Sequence, residues 1–433
     1  MRRISLVFLA LLLLLSANVD AAARRRAVRP PTNPDAFISQ DPSTVPGWLL
    51  LHGHTLSTPE YFSTGRAELE PLRTMIGDAE VVGLGDGTHG THEFSAVKLR
   101  IIDFLVREMD FDTLILEAPV SHFARLNDYI LGGDVDARAV LAETLAKPDL
   151  AYTFWNNAET LAVLDWMRAY NAGRGTRPPL LLFGGDVFGQ NYAWQDVVAY
   201  LRTVDAALAT MAESEYACIG TRTLTGICRD QATRVRDALL AAEADLIARS
   251  SRDAFYAALY EATVILNGQD GFGGRDEGMA DNVTWLRDNF STTKRVIYWA
   301  HNGHVSRNRM NLSVGKTTGE FLVERYGDDY FVIGTMTGAG SYHSWNNIRG
   351  QLVRQVVTFN PVGPNSHEAY LGQRGTLPFI LPLRGELPEW LTAARELNAA
   401  PAGGSGAGGT EVLPESFDAI VYIPLTTPFN LFP

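Results

Sequence analysis

Residues 80–94 read EVVGLGDGTHGTHEF and residues 113–116 read TLIL, and these two stretches decide the fold. Each contains a short apolar run typical of a buried strand, and the first run ends on glycine. Residues 92–109 lie between them and have an apolar face with helical spacing, formed by Phe94, Val97, Ile101 and Phe104. A strand, a helix and a second strand in this order predict two parallel strands joined by a crossover helix.

The same alternation of apolar runs and helical periodicity continues along the chain. Further strands are predicted at Leu180–Phe183, Arg295–Trp299, Tyr330–Gly334 and Asp418–Ile423. Helices are predicted at Ala158–Tyr170, Trp194–Leu208, Asp230–Ala248, Arg252–Leu266 and Met279–Asn289. These elements together predict an α/β fold, in which a mostly parallel sheet is flanked by helices.

The predicted sheet is interrupted by a long block without strand signals. Residues near 191–290 carry helical patterns only, which predicts a helical insertion within one domain that spans residues 47–433. The stretch Ala399–Glu411 is rich in glycine and alanine, and we predict a flexible loop before the last strand.

The N-terminus has the order of a processing signal. Arg2 and Arg3 precede an apolar run from Ile4 to Leu15, and small residues follow up to Ala23. This pattern predicts a signal peptide at residues 1–23 and an exported protein, either periplasmic or extracellular. Residues 24–46 are interpreted as an unstructured leader. The alternative is an uncleaved N-terminal anchor, but we expect no stable membrane anchor after processing.

Charge and cysteine content limit the partners and the compartment. The formal net charge is -12, and a chain this acidic repels phosphate backbones, so no nucleic acid partner is expected. The two cysteines, Cys218 and Cys228, bracket a short stretch rich in glycine and threonine. An exported chain meets oxidising conditions, which favours a local disulfide over the alternative of two free thiols.

Ionisable residues follow four of the predicted strands. Asp86 and His89 come after the first strand, Glu117 ends the second, Asp186 follows the third, and HNGH at 301–304 follows the fourth. Ligands bind outside the carboxyl ends of strands in open parallel sheets, so these groups are expected at one rim. We assign the catalytic roles to His89, Glu117, His301, Asp86 and His304. Substrate-binding roles are assigned to Glu93, Asp186 and Arg275.

Each of these residues also has a structural interpretation. Glu93 opens a helix, where acidic residues are common because they stabilise the helix dipole. A lone His301 would more often be a hydrogen-bonded core histidine. However, the spacing HxxH occurs at two strand ends, as His89 with His92 and as His301 with His304, and clustered ionisable groups favour a functional site.

Several hydrolytic mechanisms lack their motifs in this sequence. There is no G-x-S-x-G nucleophile elbow and no H-E-x-x-H zinc motif, and neither cysteine lies beside a candidate base. Two chemistries remain open on these grounds. A histidine can activate water as a general base, or the His, Asp and Glu cluster can hold a metal ion.

The stretch VVGLGDGTHGTHEF resembles the signature of the erythromycin esterase family, in which a strand runs into G-E-x-x-H-G-x-x-E-F. Later segments agree in order, namely ILEAP, FGGDVFG, RDEGMADNVTWL, YWAHNGHV and FDAIVYI. The resemblance covers roughly residues 48–423. It implies hydrolysis of a small-molecule carboxylic ester, which is a macrolide lactone in the best-known members, without a cofactor or required metal.

The resemblance also implies roles for individual residues. The general-base histidine of the family falls on His89, its strand-end glutamate on Glu117, and its paired histidines on His301 and His304. The family usually has glutamate where this chain has Asp86.

Nine residues past the base the family often has an arginine. Here that position is Lys98, with Arg100 nearby. The pair Arg275 and Asp276 is also expected to face the cleft.

The predicted mechanism follows from these roles. His89 removes a proton from water, either Glu117 or Asp86 orients His89, and either His301 or His304 stabilises the oxyanion or protonates the leaving group. The helical insertion is expected to form the apolar wall of the cleft. One alternative is a metal-dependent hydrolase with His89, Glu117, His301 and His304 as ligands. Another is a non-catalytic protein that binds a metal or haem.

Overall fold

The structure is a computed structural model, and it describes residues 38–62, 65–146, 154–219, 228–309, 315–348, 351–397 and 409–432. The predicted signal peptide, residues 24–37 of the predicted leader and most of the predicted loop at 399–411 lie outside these ranges. Within them, no helix is both long and apolar enough to cross a membrane. The first helix begins at Val45, so the end of the predicted leader is helical.

The described residues form twelve strands. In chain order, β1 to β12 are His54–Thr55, Val81–Asp86, Thr113–Pro119, Leu181–Asp186, Val296–His301, Tyr330–Thr337, Ser341–Ile348, Gln351–Thr358, Phe379–Pro382, Arg395–Glu396, Thr410–Glu411 and Ala419–Ile423. Eight of them form one sheet in the order β1-β9-β12-β6-β2-β5-β3-β4. The six strands from β12 to β4 are parallel, while β9 runs antiparallel to both β12 and β1. The predicted mostly parallel sheet is confirmed.

Helices cover both faces of this sheet. In chain order, α1 to α17 are Val45–His52, Pro71–Ile76, His92–Glu108, Val120–Ile130, Ala137–Ala146, Ala158–Gly173, Gln190–Val204, Ala206–Tyr216, Arg229–Ala241, Glu243–Arg249, Arg252–Asn267, Arg275–Asn289, Asn302–Val305, Thr318–Tyr326, His367–Leu371, Glu389–Thr392 and Leu413–Ser416. The described residues between β4 and β5 form helices and connecting turns, with no strand.

The central strand β5 shows why both faces must be covered. All six of its residues are buried. Tyr298 and its alternate neighbours pack into one hydrophobic cluster with α11 of the insertion, while Ile297 and Trp299 pack into a second cluster with α3. Successive side chains of a strand point to opposite faces, so a buried strand needs a packed layer on each side. The insertion supplies part of one layer.

The helical insertion is divided more finely than the sequence predicts. Helix α7 ends at Val204 and α8 begins at Ala206, where a single helix over Trp194–Leu208 is predicted. Asp205 lies between them, and its carboxylate accepts hydrogen bonds from the backbone N–H groups of Ala207 (3.0 Å) and Leu208 (2.9 Å). Asp205 is therefore the N-cap of a new helix, which stabilises the break.

The two cysteines lie at facing helix ends within the insertion. Cys218 follows α8, Cys228 precedes α9, and the structure joins them in a disulfide with a Cα–Cα distance of 5.8 Å. The residues between them, 220–227, lie outside the described ranges. The disulfide agrees with the prediction from the spacing of the two cysteines.

A two-stranded hairpin, which the sequence pattern does not predict, lies apart from the main sheet. Strands β7 and β8 pair antiparallel from Ser341 with Thr358 to Ile348 with Gln351. The hairpin contacts the loop after β2, because the backbone N–H of His343 donates to the carbonyl of Gly90 at 2.9 Å. A Cβ atom at Gly90 would lie 1.8 Å from the carbonyl oxygen of His343. Only glycine permits this approach, so Gly90 fixes the hairpin beside His89.

Candidate active site

The carboxyl ends of β2, β5, β3 and β4 are neighbours and carry the predicted cluster. At the end of β2, the carboxylate of Asp86 is buried and accepts hydrogen bonds from Lys98 Nζ and from Trp299 Nε1, the latter at 2.7 Å. Burial alone would raise the pKa of Asp86, but Lys98 and His89 hold it below its ordinary value. Burial lowers the pKa of Lys98 to about 8, although Asp86 opposes that shift. Asp86 is therefore a fixed anion.

The imidazole of His89 lies between two carboxylates. Its Nδ1 is 3.5 Å from Asp86 Oδ2, and its Nε2 is 3.5 Å from Glu117 Oε2. The side chain of His89 keeps 9% of its surface exposed. The ring of Phe154 stacks on it with a centroid distance of 5.1 Å. His89 thus has one carboxylate at each ring nitrogen and an aromatic ring on one face.

Glu117, at the end of β3, is held by groups from two other elements. Its Oε1 accepts a hydrogen bond from Arg275 Nη2 at 2.7 Å, and its Oε2 accepts one from the backbone N–H of His301 at 2.9 Å. Burial favours the neutral acid, but His304, His89 and Arg275 hold the pKa of Glu117 well below its ordinary value. The carboxylate therefore stays ionised beside His89.

Arg275, the first residue of α12, connects the ends of β3 and β4. Its Nε and Nη2 donate to the two oxygens of Asp186 at 3.1 and 2.6 Å, while Nη2 also bonds Glu117. Burial opposes the charge, yet the two carboxylates keep the pKa of Arg275 above its ordinary value. Two N–H donors side by side match the two oxygens of a carboxylate, so this pairing fixes both position and orientation.

His301, at the end of β5, is a neutral histidine. Its Nδ1 accepts a hydrogen bond from the backbone N–H of Gly303 at 3.1 Å, so the proton of the neutral ring resides on Nε2. Burial and the nearby His89 lower the pKa of His301 to about 4. The centroids of the His301 and His89 rings are 5.2 Å apart. His301 therefore brings an uncharged N–H donor close to His89.

His304 has different surroundings from His301. Its Nδ1 is 2.6 Å from Asp276 Oδ1, and its Nε2 is 3.3 Å from Glu117 Oε1 and 3.0 Å from Arg275 Nη1. Burial and Arg275 oppose protonation of the ring, but Glu117 and Asp276 outweigh them and raise the pKa of His304 to about 10. His304 is thus a cation that holds Glu117 in place.

Comparison with known proteins provides independent evidence about the family of this chain. The sequence profile of the erythromycin esterase family matches residues 106–426. This chain belongs to the erythromycin esterase family. The matched region contains every site residue described above except Asp86, His89 and Lys98, which precede it.

Several relatives of this esterase family member align with most of its chain. The Bacillus subtilis protein YbfO, described as a hydrolase, is 21% identical over 73% of this chain and 76% of its own length. An erythromycin esterase type II of Escherichia coli is 24% identical over 63% of this chain and 72% of its own length. A Bacillus cereus protein of known crystal structure is 25% identical, with a TM-score of 0.78 over 91% of this chain and all of that one.

Glu93, which the sequence assigns to substrate binding, lies elsewhere in this family member. Its carboxylate accepts hydrogen bonds from the backbone N–H of Thr427 at 2.7 Å and from its hydroxyl at 2.8 Å. The neighbouring His92 bonds Glu159 at 2.6 Å, and Glu159 also accepts a bond from the backbone N–H of Asn430. His92 and Glu93, at the start of α3, therefore hold the C-terminal segment in place. The structure does not bring Glu93 to the His89 cluster.

The structure also places two further residues, Lys98 and Phe154, beside the site. Lys98 is the basic residue that reaches Asp86, whereas Arg100 bonds Glu68 at 2.7 Å. Lys98 adjoins the apolar face of α3. A lysine that faces the core indicates a buried partner for its charge, so this position is a signal in the sequence. The aromatic ring against His89 is Phe154, which precedes α6 and so lies outside the helical insertion that is predicted to form the apolar wall of the cleft. No pattern in the sequence indicates that Phe154 lies beside His89.

The geometry also bears on the metal-binding alternative. Within the ranges described, no group of three or more His, Cys, Asp or Glu side chains is arranged to hold a metal ion. Arg275 occupies the position where a cation would meet Glu117 and Asp186, and Nδ1 of His301 is engaged by Gly303. The carboxylates of this cluster are thus neutralised by side chains of the protein.

The unusual ionisation of His304 predicts how stability depends on pH. Its pKa is about 10 in the folded protein, against about 6.5 in an unfolded chain. The stabilisation that the His304 cation provides is therefore fully present below about pH 6.5 and is lost as pH rises towards 10. The free energy of unfolding of the wild type should exceed that of His304→Gln by less at pH 9.5 than at pH 6.5, measured by urea denaturation.

The control for this measurement is a histidine at the surface. His52 is exposed and stacks on Trp48, and His52→Gln should differ little from the wild type at either pH. A wild-type advantage over His304→Gln that stays constant between the two pH values would contradict the assignment of a cation at position 304.

Proposed function

We propose that this chain hydrolyses a carboxylic ester with a water molecule that His89 activates. Membership of the erythromycin esterase family, together with a relative described as a hydrolase and another named as an esterase, supports a hydrolase. The observation that carries the finer proposal is the position of His89. Its imidazole keeps 9% of its surface exposed within a buried cluster and lies 3.5 Å from a carboxylate at each nitrogen.

The first step is removal of a proton from water. Asp86 is fixed by Lys98 and Trp299, so it favours the tautomer of His89 that carries its proton on Nδ1. Nε2 is then the basic atom, and it takes a proton as the water oxygen forms a bond to the ester carbonyl carbon. The imidazolium that results is stabilised by Asp86 and Glu117 together, as a carboxylate stabilises the histidine of a catalytic triad.

The second requirement is a donor for the oxyanion that forms on the carbonyl oxygen. His301 fits this role better than His304, because its ring is neutral and its N–H is on Nε2, close to His89. A fixed donor of this kind stabilises the charge only as it develops. The tetrahedral intermediate then expels the alcohol, which takes the proton from Nε2 of His89, and the carboxylic acid product is released.

The contacts of the remaining charged residues support a positioning role for them. Arg275 bonds Glu117 and Asp186, while His304 bonds Asp276 and pairs with Glu117, so we assign these four residues to positioning Glu117. Erythromycin, which appears in the name of the Escherichia coli relative, is one candidate substrate here.

A substrate panel tests the proposal directly. Purified protein is incubated with simple nitrophenyl esters and with macrolides including erythromycin, before and after prolonged treatment with EDTA. We expect hydrolysis of at least one ester, retained after EDTA, with no acyl adduct in the intact mass during turnover. An adduct would indicate a nucleophilic side chain. Loss of activity in EDTA with recovery in Zn²⁺ would favour the metal-dependent alternative, and no hydrolysis of any ester would refute the proposal.

A further inference from the structure

We propose that the hairpin β7–β8 holds a binding site for a carboxylate group of the substrate, with Arg354 as the residue that binds it. This inference rests on the proposed function, because it adds an anionic group to the ester that His89 attacks. It assigns the substrate class as esters of dicarboxylic acids, or other esters that carry a carboxylate away from the scissile bond.

The guanidinium of Arg354 lies between aromatic rings. Trp345 is its cross-strand partner in the hairpin, and the guanidinium carbon lies 4.8 Å from the centroid of that ring. On the C-terminal segment, the ring of Phe429 is 5.5 Å from the same carbon. These rings stabilise the planar cation but provide no hydrogen-bond acceptor for its N–H groups.

One edge of this guanidinium is buried without an acceptor. Arg354 Nε and Nη2 are both buried and make no hydrogen bond, and the same is true of Trp345 Nε1. Burial without an acidic partner lowers the pKa of Arg354, so the unliganded protein bears a cost at this position. Buried donors in native proteins are nearly always paired, and those that are not call for a ligand, a water molecule or an ion.

Arg275 shows which group the Nε and Nη2 donors of an arginine bind elsewhere in this protein. There, Nε and Nη2 donate to the two oxygens of the Asp186 carboxylate. In Arg354 the same two atoms are without a partner. A carboxylate matches this pair of parallel donors in shape and charge, and the indole N–H of Trp345 adds a third donor beside them.

An acid that acts on this part of the hairpin is already engaged by other groups. Glu159 acts electrostatically on His343, which shares the hairpin face with Trp345, but its carboxylate bonds His92 and Asn430. Within the described ranges, no carboxylate forms an ion pair with Arg354. We therefore infer that a ligand supplies the negative charge that pairs with Arg354.

The hairpin is connected to the catalytic cluster by contact. The Trp345 ring meets the edge of Phe154 at a centroid distance of 6.5 Å, and Phe154 stacks on His89. The hairpin is also bonded to Gly90, the residue directly after His89. A substrate whose ester lies at His89 can therefore extend along Phe154 and Trp345 towards Arg354.

Matched pairs of esters test this inference. Nitrophenyl half-esters of dicarboxylic acids, from glutarate to sebacate, are each compared with a neutral ester of equal length that ends in a methyl branch shaped like the carboxylate. The wild type should prefer the charged member of at least one pair by about 10- to 100-fold in kcat/KM, the range expected for hydrogen bonds to a charged group. In Arg354→Gln this ratio should fall towards one, mainly through KM.

A binding measurement runs beside the kinetics. The free dicarboxylate with the preferred chain length should raise the Tm of the wild type but not that of Arg354→Gln. Without ligand, Arg354→Gln should unfold at a Tm close to that of the wild type, because relief of the unpaired buried donors offsets the lost contacts with Trp345 and Phe429. Arg202→Gln, which removes an exposed partner of Glu213 in the insertion, is the control and should keep both the ester preference and the Tm shift.

The outcomes separate this inference from the proposed function. If the wild type hydrolyses both members of every pair equally, the carboxylate site is refuted and the esterase proposal stands. If it hydrolyses no ester, the esterase proposal fails, and a Tm shift that depends on Arg354 still supports a carboxylate site. A Tm shift of equal size in Arg354→Gln, or a marked loss of stability in that variant, would overturn the inference.

Discussion

Replacing His89 by asparagine is expected to lower kcat for ester hydrolysis by at least about a hundredfold, with little change in KM. Asparagine retains the size and hydrogen bonding of the ring but cannot accept a proton from water. The two carboxylates that flank the ring, each at 3.5 Å, would remain in place. Steady-state kinetics on the best ester from the substrate panel, with His52→Asn as the surface control, would measure the effect.

His301→Asn should also slow turnover by about a hundredfold, because loss of one oxyanion donor has a similar effect. Hydroxylamine distinguishes the two roles, since a strong nucleophile needs no general base. It should partly restore activity to His89→Asn and not to His301→Asn. The reverse pattern would mean that the base and the oxyanion donor are exchanged. A near-normal kcat in His89→Asn would show that the chemistry lies elsewhere.

Arg275→Gln is expected to lower the free energy of unfolding by about 3–5 kcal/mol, the usual cost of leaving buried charges unpaired. Glu117 and Asp186 are both buried, with 8% and 5% of their side-chain surface exposed, and both depend on the Arg275 guanidinium. Urea denaturation followed by circular dichroism gives the change. The matched control is Arg234→Gln, which breaks a surface ion pair with Glu215 and should leave the free energy of unfolding nearly unchanged.

A double variant makes this test specific to the charges. Arg275→Gln combined with Asp186→Asn removes one of the two stranded carboxylates, so it should be more stable than Arg275→Gln alone. If the single variant loses less than about 1 kcal/mol, or if the double variant is the less stable of the two, Arg275 contributes packing and not charge compensation.

The sequence predicts the sheet and the position of the cluster because both follow from local patterns. Apolar runs of strand length identify β2, β3, β4 and β5, and parallel strands bring their carboxyl ends to one edge. Asp86, Glu117, Asp186 and His301 therefore meet as predicted from strand ends alone. Aspartate is a strong N-cap, so Asp205 is a signal for the break between α7 and α8. The apolar periodicity continues across Asp205, however, and therefore predicts a single helix.

The remainder depends on contacts between distant parts of the chain. The hairpin β7–β8 contains polar residues such as Ser344 and Asn346, so no apolar alternation marks it as a pair of strands. The stacking of Phe154 on His89, and the approach of the hairpin to Gly90, arise only when the chain is folded. Patterns within a window of residues carry no information on such pairs, which is why the surroundings of the base were not predicted.

The Arg275 contacts also have a consequence for how the protein folds. Glu117 and Arg275 are 158 positions apart along the chain. Arg275 is the first residue of α12, the helix of the insertion that precedes β5. Contacts of such long range form late, since closing the loop has an entropic cost that other contacts must first offset. We therefore expect Glu117 and Asp186 to lack the Arg275 cation until the insertion has packed against the sheet, so that this cluster of charges is completed late in folding.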